Sequence, residues 1–188
     1  MKNKFNLKKL ASVLAVLFLA LSVVSCQRDE DEDDIPQEEL TNILLNVKDL
    51  STNAVTTYNY SVGSGAAPTI KLVDAKSYEV EMVFKNGNED VTQEIKDAKD
   101  EHFLIFDFPK SSVVLTRIDD ASSTRTDGKK VGLKTKWDVT KVVDSSSPVV
   151  KVTLIHEPAT VSESLNGTAW GSVTGGETDA EATFGLSN

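Results

Sequence analysis

Tyr78-Glu79-Val80-Glu81-Met82-Val83-Phe84 places a large apolar side chain at every second position, with Glu79 and Glu81 between them. Successive side chains of a strand point to opposite faces, so a period of two marks a strand with one face buried and one in water. Working outward, Ile43, Leu45 and Val47 alternate in the same way. Thr56, Tyr58, Tyr60 and Val62 do so again after the turn-rich Asp49-Leu50-Ser51-Thr52-Asn53, which predicts a hairpin. Ile70 and Leu72 predict a short strand after a loop over 63–68. Downstream, His102, Leu104, Phe106 and Phe108 share one face, and Val113 to Ile118 follow the Pro109 turn. Leu133, Thr135, Trp137 and Val139 form another alternating set, as do Val150, Val152, Leu154 and His156, then Ala180, Ala182, Phe184 and Leu186. Asp119 to Gly132 reads as a solvated polar loop. Residues 157–177, rich in Ser, Thr and Gly, read as loop too. Only Asp90 to Asp97 breaks the period: Asp90 as cap, Gln93 three residues on, and Val91 and Ile95 at i, i+4 predict a short helix. About nine short strands with turns at regular spacing predict an all-β fold, an antiparallel β-sandwich of Ig-like type with one short crossover helix.

The amino-terminal 39 residues follow different rules. Lys2, Lys4, Lys8 and Lys9 precede an apolar run from Leu10 to Val24, and small Ser25 stands before Cys26, the one cysteine of the chain. This is the layout of an export signal. The run is shorter than the roughly 20 residues that a spanning helix needs, so a cleaved signal over residues 1–25 is expected rather than a permanent span. Val23-Val24-Ser25-Cys26 resembles the lipobox of bacterial lipoproteins, which implies lipid on Cys26 and a membrane as its partner. Each buried methylene contributes about 0.8 kcal/mol, so several acyl chains hold where one holds weakly. Residues 26–39 then form an acidic tether, because Asp29-Glu30-Asp31-Glu32-Asp33-Asp34 repel one another and cannot pack. The acidic run also resembles the signal that sends Bacteroidota lipoproteins to the outer face of the outer membrane. A single domain is expected over 40–188.

Four of the 20 basic residues lie in the signal, so the chain from Cys26 carries 16 basic and 29 acidic residues, a net of −13. That balance argues against nucleic acid as a partner and against electrostatic docking on anionic lipid. With one cysteine, no intramolecular disulfide can form. Apolar packing must hold the fold.

At EHFLIFDF (101–108), VGLKTKW (131–137) and VTLIHEPA (152–159) the chain resembles a group of small flavobacterial and Bacteroidota surface lipoproteins. In them an acidic tether, a TxEI…DEHxxFF segment, a GLxTxW strand and an LxHxP strand end recur. The matching stretches here are Thr92 to Phe106, Gly132 to Trp137 and Leu154 to Pro158, and the likeness spans most of residues 41–186. It implies a neighbouring TonB-dependent outer-membrane receptor as partner, and a protein that assists nutrient uptake. The glycine- and aspartate-rich loop expected before the GLxTxW strand reads DDASSTRTDGKKVG here, which weakens any metal-binding role for it.

His102 and His156 are the two histidines of the chain, one opening a strand and the other closing one. If those strands pair antiparallel, both imidazoles meet at one rim of the core beside Glu101 and Glu157. There they would suit a divalent metal or the two axial positions of a haem. The same pattern fits two partly buried histidines bonded to backbone at strand ends. Asp119, Asp120, Asp127 and Gly128 match no EF-hand spacing, and Arg125, Lys129 and Lys130 oppose a cation there. Trp137 belongs to a core strand. Trp170 lies in an aperiodic stretch, where it would serve as an anchor for a protein or glycan partner or fold back onto the sandwich edge. No nucleophile-elbow serine is present and Cys26 is claimed by lipid, so no enzyme is expected. The expectation is a non-catalytic binding module at the cell surface, with an adhesion or structural module as the alternative.

Overall fold

The computed structural model describes residues 40–188, and the signal and tether expectations lie outside that range. Two sheets pack face to face. The first runs in the order β2 (Val55–Ser61), β1 (Asn42–Asp49), β4 (Ser77–Asn86), β8 (Lys134–Lys141), β7 (Ser112–Arg117), with β5 (Glu89–Asp90) added to the end of β4. The second runs β10 (Thr160–Asn166), β11 (Ala169–Thr174), β6 (His102–Asp107), β9 (Ser145–His156), β12 (Glu177–Ser187), β3 (Thr69–Lys71). Every pairing is antiparallel except that of β12 with β3, where Leu186 stands opposite Ile70. An all-β sandwich with one short helix is what the alternation predicts.

Period-two patterning builds the core directly. Tyr78, Val80, Met82 and Phe84 point inward from β4, as do Ile43, Leu45 and Val47 from β1. Leu104, Phe106, Val150, Val152, Leu154, Ala182 and Phe184 meet them from the other sheet. Trp137 is fully buried between the sheets, with Phe108 and Phe106 edge-on at 5.0 and 6.3 Å, and its indole N–H donates to Thr135 Oγ1 at 2.9 Å. Full burial of one such side chain contributes roughly 1.5–3 kcal/mol, enough in sum to hold a chain that lacks a disulfide.

Two local expectations need correction. The helix α1 covers only Thr92–Asp97, and Val91, the residue at its cap, offers no side-chain bond. Asp90 accepts from Thr92 N at 3.0 Å, the half of the box expected of it, and Thr92 Oγ1 accepts from Phe84 N at 2.9 Å. The other half fails because Gln93 donates forward to Asp97. Residues 157–177, expected as loop, contain the β10–β11 hairpin. Its outer strand is at a sheet edge with most side chains exposed, so it carries no alternation to read.

Candidate functional site

The β6–β9 ladder places His102 directly opposite His156. The two rings stack with centroids 5.1 Å apart and planes 25° from parallel. The strands therefore bring both histidines to one end of the sandwich, as the sequence implies. His102 is 1% exposed and its Nδ1 lies 2.9 Å from the carbonyl oxygen of Ala98, just beyond α1. A carbonyl only accepts, so Nδ1 carries the hydrogen and Nε2 is the variable nitrogen. That Nε2 faces Asp179 Oδ2 at 3.5 Å. His156, 20% exposed, has Nδ1 at 3.9 Å from Asp179 Oδ1 and Nε2 at 3.7 Å from Glu101 Oε2. One carboxylate thus addresses both rings, one oxygen to each.

Asp179 is placed by an irregularity. Thr178 pairs with Ile155 and Ala180 with Leu154, so Asp179 is the extra residue of a β-bulge in β12. Bulges turn a side chain away from the face that strict alternation would assign it. Here the bulge turns Asp179 toward the histidines. Two further departures from regular backbone lie beside it. Glu157 adopts φ +48 and its N–H donates to Glu101 O at 2.6 Å. A Cβ on Gly176 would stand 2.6 Å from His156 O, so the 175–176 turn can close on the β9 end only as glycine. Left-handed backbone at a non-glycine residue costs on the order of 1–3 kcal/mol and concentrates at functional sites.

His102 Nε2 and Asp179 Oδ2, 3.5 Å apart, form an ion pair when the ring is protonated. Haem does not fit as a bis-histidine complex, because the rings stack on each other and leave no room for a porphyrin between them. Among the described residues, no group of three or more His, Cys, Asp or Glu side chains could hold a metal ion, so the expectation of a metal at His102 and His156 finds no ligand set. Glu157 is exposed, so Glu101 and Asp179 are the carboxylates that face the rings.

A second polar cluster lies two residues along β6. Arg117 is buried, and its Nη1 and Nη2 donate to Val131 O at 2.7 Å and Leu104 O at 2.5 Å. Phe103 covers the guanidinium at 4.2 Å. Gly132 is required alongside, since a Cβ there would stand 2.0 Å from Nη1. β11 pairs with β6 only at Ala169 and Trp170, and beyond that point Arg117 and Val131 take up the β6 backbone groups that a strand would otherwise use. Desolvation pulls the Arg117 pKa down to about 10. Asp119 is buried too, not solvated as its loop suggested. Its Oδ1 accepts from the N–H groups of Gly132, Leu133 and Lys134, and burial raises its pKa against those bonds and the pull of Arg117. Asp120 and Asp127 each accept from the N–H two residues on, at Ser122 and Lys129. These aspartates shape turns and do not converge.

Trp170 is half-buried against the core, and its indole N–H donates to Val113 O at 2.9 Å. It bridges β11 to the edge strand β7, so its polar end is committed inside the protein. Glu79 and Glu81 do not face each other across a cleft; Glu79 pairs with Lys134 at 3.0 Å on the outer face. A groove of about 470 Å³ lies between β2 and β3 and is lined in part by Asp49, Tyr58, Lys71 and Lys76. Tyr58 and Tyr78 turn their hydroxyls there onto the N–H groups of Lys71 and Val73. Asp179 is the site residue that sequence reading misses. Counting back from Ala180 sends it outward, and no residue type announces the bulge. No protein-family model, no curated protein and no solved structure matches the chain.

Proposed function

We propose that this protein is a lipid-anchored binding module of the outer-membrane surface, non-catalytic, that captures a nutrient and passes it to a TonB-dependent receptor. The anchor rests on the basic start, the apolar run and Cys26. The receptor rests on the family resemblance. The observation that carries the binding role is the convergence of His102, His156, Asp179 and Glu101 at one end of an otherwise apolar sandwich. A few polar groups converging at the rim of a rigid scaffold are the usual form of a binding site.

Cell fractionation tests the anchor. The full-length protein should partition with outer membranes and be cleaved by protease added to intact cells, and Cys26→Ala should release it or trap its precursor. Co-purification of a TonB-dependent receptor after crosslinking on cells tests the partner. A protein that stays soluble in the periplasm with Cys26 intact would sink the proposal. An adhesion module has one observation in its favour, the edge strands β2 and β10, which expose Val55 and Leu165. Unpaired edges can add a strand from another chain, and binding that survived loss of both histidines would favour that reading.

A further inference from the structure

We propose that β2 is the pairing edge of a homodimer. A second copy of this chain adds its own β2 antiparallel to it about a two-fold axis, and the first sheets of the two copies run on as one. The inference goes beyond the binding role above and stands independently of it.

The end strands of the two sheets carry it by contrast. A sheet edge leaves a row of N–H and C=O groups unpaired, and proteins blunt such edges with bulges, charges, prolines or covering groups. On β7 the outward carbonyl of Val113 accepts from the Trp170 indole at 2.9 Å, and that of Arg117 from Lys130 Nζ at 3.0 Å. On β10 the ladder shifts between Ser162 and Leu165, and Glu163 within that bulge accepts from Lys130 N at 2.7 Å. β3 is three residues long, and the N–H groups of Lys71 and Val73 end on the hydroxyls of Tyr58 and Tyr78. β2 has none of these devices. Its seven residues, VTTYNYS, include no charge, proline or glycine and favour a strand. The bonds from Asp49 N to Ala54 O and from Val62 N to Thr41 O show that even-numbered positions face β1. Val55, Thr57, Asn59 and Ser61 therefore turn their backbone groups outward. Of these groups only Ser61 O meets a partner among the described residues, at Ser64.

The occupant is a second copy because this edge is complementary to itself. Beyond the five basic and eight acidic residues before Leu40, the domain carries 15 basic and 21 acidic residues. Two copies repel over most of their surface, and an uncharged strand is where they meet without that cost. In the register that overlaps all seven residues, Tyr58 stands opposite its own copy and Thr57 opposite the second copy's Asn59. Four N–H···O bonds then join Thr57 and Asn59 across the axis. On the outer face, Thr57 Oγ1 donates to Asn46 Oδ1 at 2.7 Å and Asn42 Nδ2 to Asn59 Oδ1 at 2.9 Å. Amides and hydroxyls both donate and accept, so this ladder continues into its own copy without a mismatch. An isologous contact of this kind closes at two copies.

Sedimentation equilibrium of the full-length protein in density-matched detergent tests this. Wild type should fit a monomer–dimer equilibrium with no larger species. Thr57→Pro removes an N–H that the single chain leaves unpaired, so the fold should persist. Two bonds are lost per dimer, which should raise the dissociation constant at least about tenfold. Thr57→Lys keeps the backbone intact and sets two ammonium groups diagonally across the axis, and it should weaken the dimer as well. Circular dichroism and melting check that both variants are folded, and the lysine variant carries the test if proline disturbs the strand. A wild type that is monomeric at every concentration, or a dimer indifferent to the folded variants, overturns the pairing. A photo-crosslinker at Val55 that captures a different protein on cells, while the purified chain stays monomeric, assigns the edge to that protein and overturns the second copy.

Discussion

Arg117, at the end of β7, and His102, at the start of β6, meet the same short stretch of β6 backbone, and each brings a polar head into the interior. They are completed differently. The two terminal nitrogens of Arg117 donate to backbone carbonyls of Leu104 and Val131, with an aromatic ring above them. His102 has one nitrogen on a carbonyl and the other facing a carboxylate. A buried donor whose acceptors come from the local backbone is part of the scaffold. His102 is held by one backbone carbonyl and one side chain at the rim of the sandwich, where neighbours can move. The contrast separates a group locked into the scaffold from a group at its edge.

The comparison breaks most visibly at Arg117. Arg117→Met should lower stability by about 3–5 kcal/mol, since it leaves buried carbonyls and Asp119 without their cation. Urea denaturation of the variant reads the loss, and a midpoint near wild type would mean that Arg117 is dispensable to the scaffold. Gly132→Ala should approach the same effect, because its φ of +102 is foreign to alanine and the new Cβ would enter the guanidinium. Trp170→Phe comes next, at about 1 kcal/mol for the lost bond to Val113 O. Asp179→Asn should cost less than about 1 kcal/mol, as expected for a long, partly solvated ion pair.

A pH series sharpens the contrast at the smallest scale. Asp74 accepts from Val142 N at 2.7 Å and pairs with Lys141, which lowers its pKa below 3.8. A depressed folded-state pKa contributes stability above the unfolded value and loses it as pH falls through the folded one. Asp74→Asn should therefore flatten the acid limb below about pH 4. Asp119 has the opposite sign. Its pKa is raised by burial, so its contribution is fullest below the unfolded value and is lost as pH rises through the folded one. Relative to wild type, Asp119→Asn should gain stability on moving from acid toward neutral pH. Denaturation midpoints across that range check both slopes, and parallel slopes for the two variants would refute the assignment.

Legibility in the sequence follows the same divide. Strands with one wet face, such as β1, β4 and β8, announce themselves by alternation, and the apolar sets of β6, β9 and β12 can be counted in the same way, but the meeting of His102 and His156 depends on the pairing of β6 with β9, which alternation does not give. The β10–β11 hairpin is illegible because an edge strand exposed on most positions has no period. Asp119 reads as solvated because its partners are backbone N–H groups of Gly132 to Lys134, which leave no mark on residue type. Asp179 is hidden for a related reason: a bulge is one unpaired residue, and alternation counted through it assigns the wrong face. Trp170 fits either an anchor or a folded-back side chain in the sequence, and its bond to Val113 O gives the second.

The parallel pairing of β3 with β12 sets the order of folding. Thr69–Lys71 can find Gly185–Ser187 only after almost the whole chain is present. Closing so long a loop is slow, because its entropy must be lost before the contact rewards it. The second sheet therefore cannot be completed until residues 185–187 are present, whereas hairpins such as β1–β2 and β10–β11 are free to form earlier, so the last strand is the step that closes the sandwich.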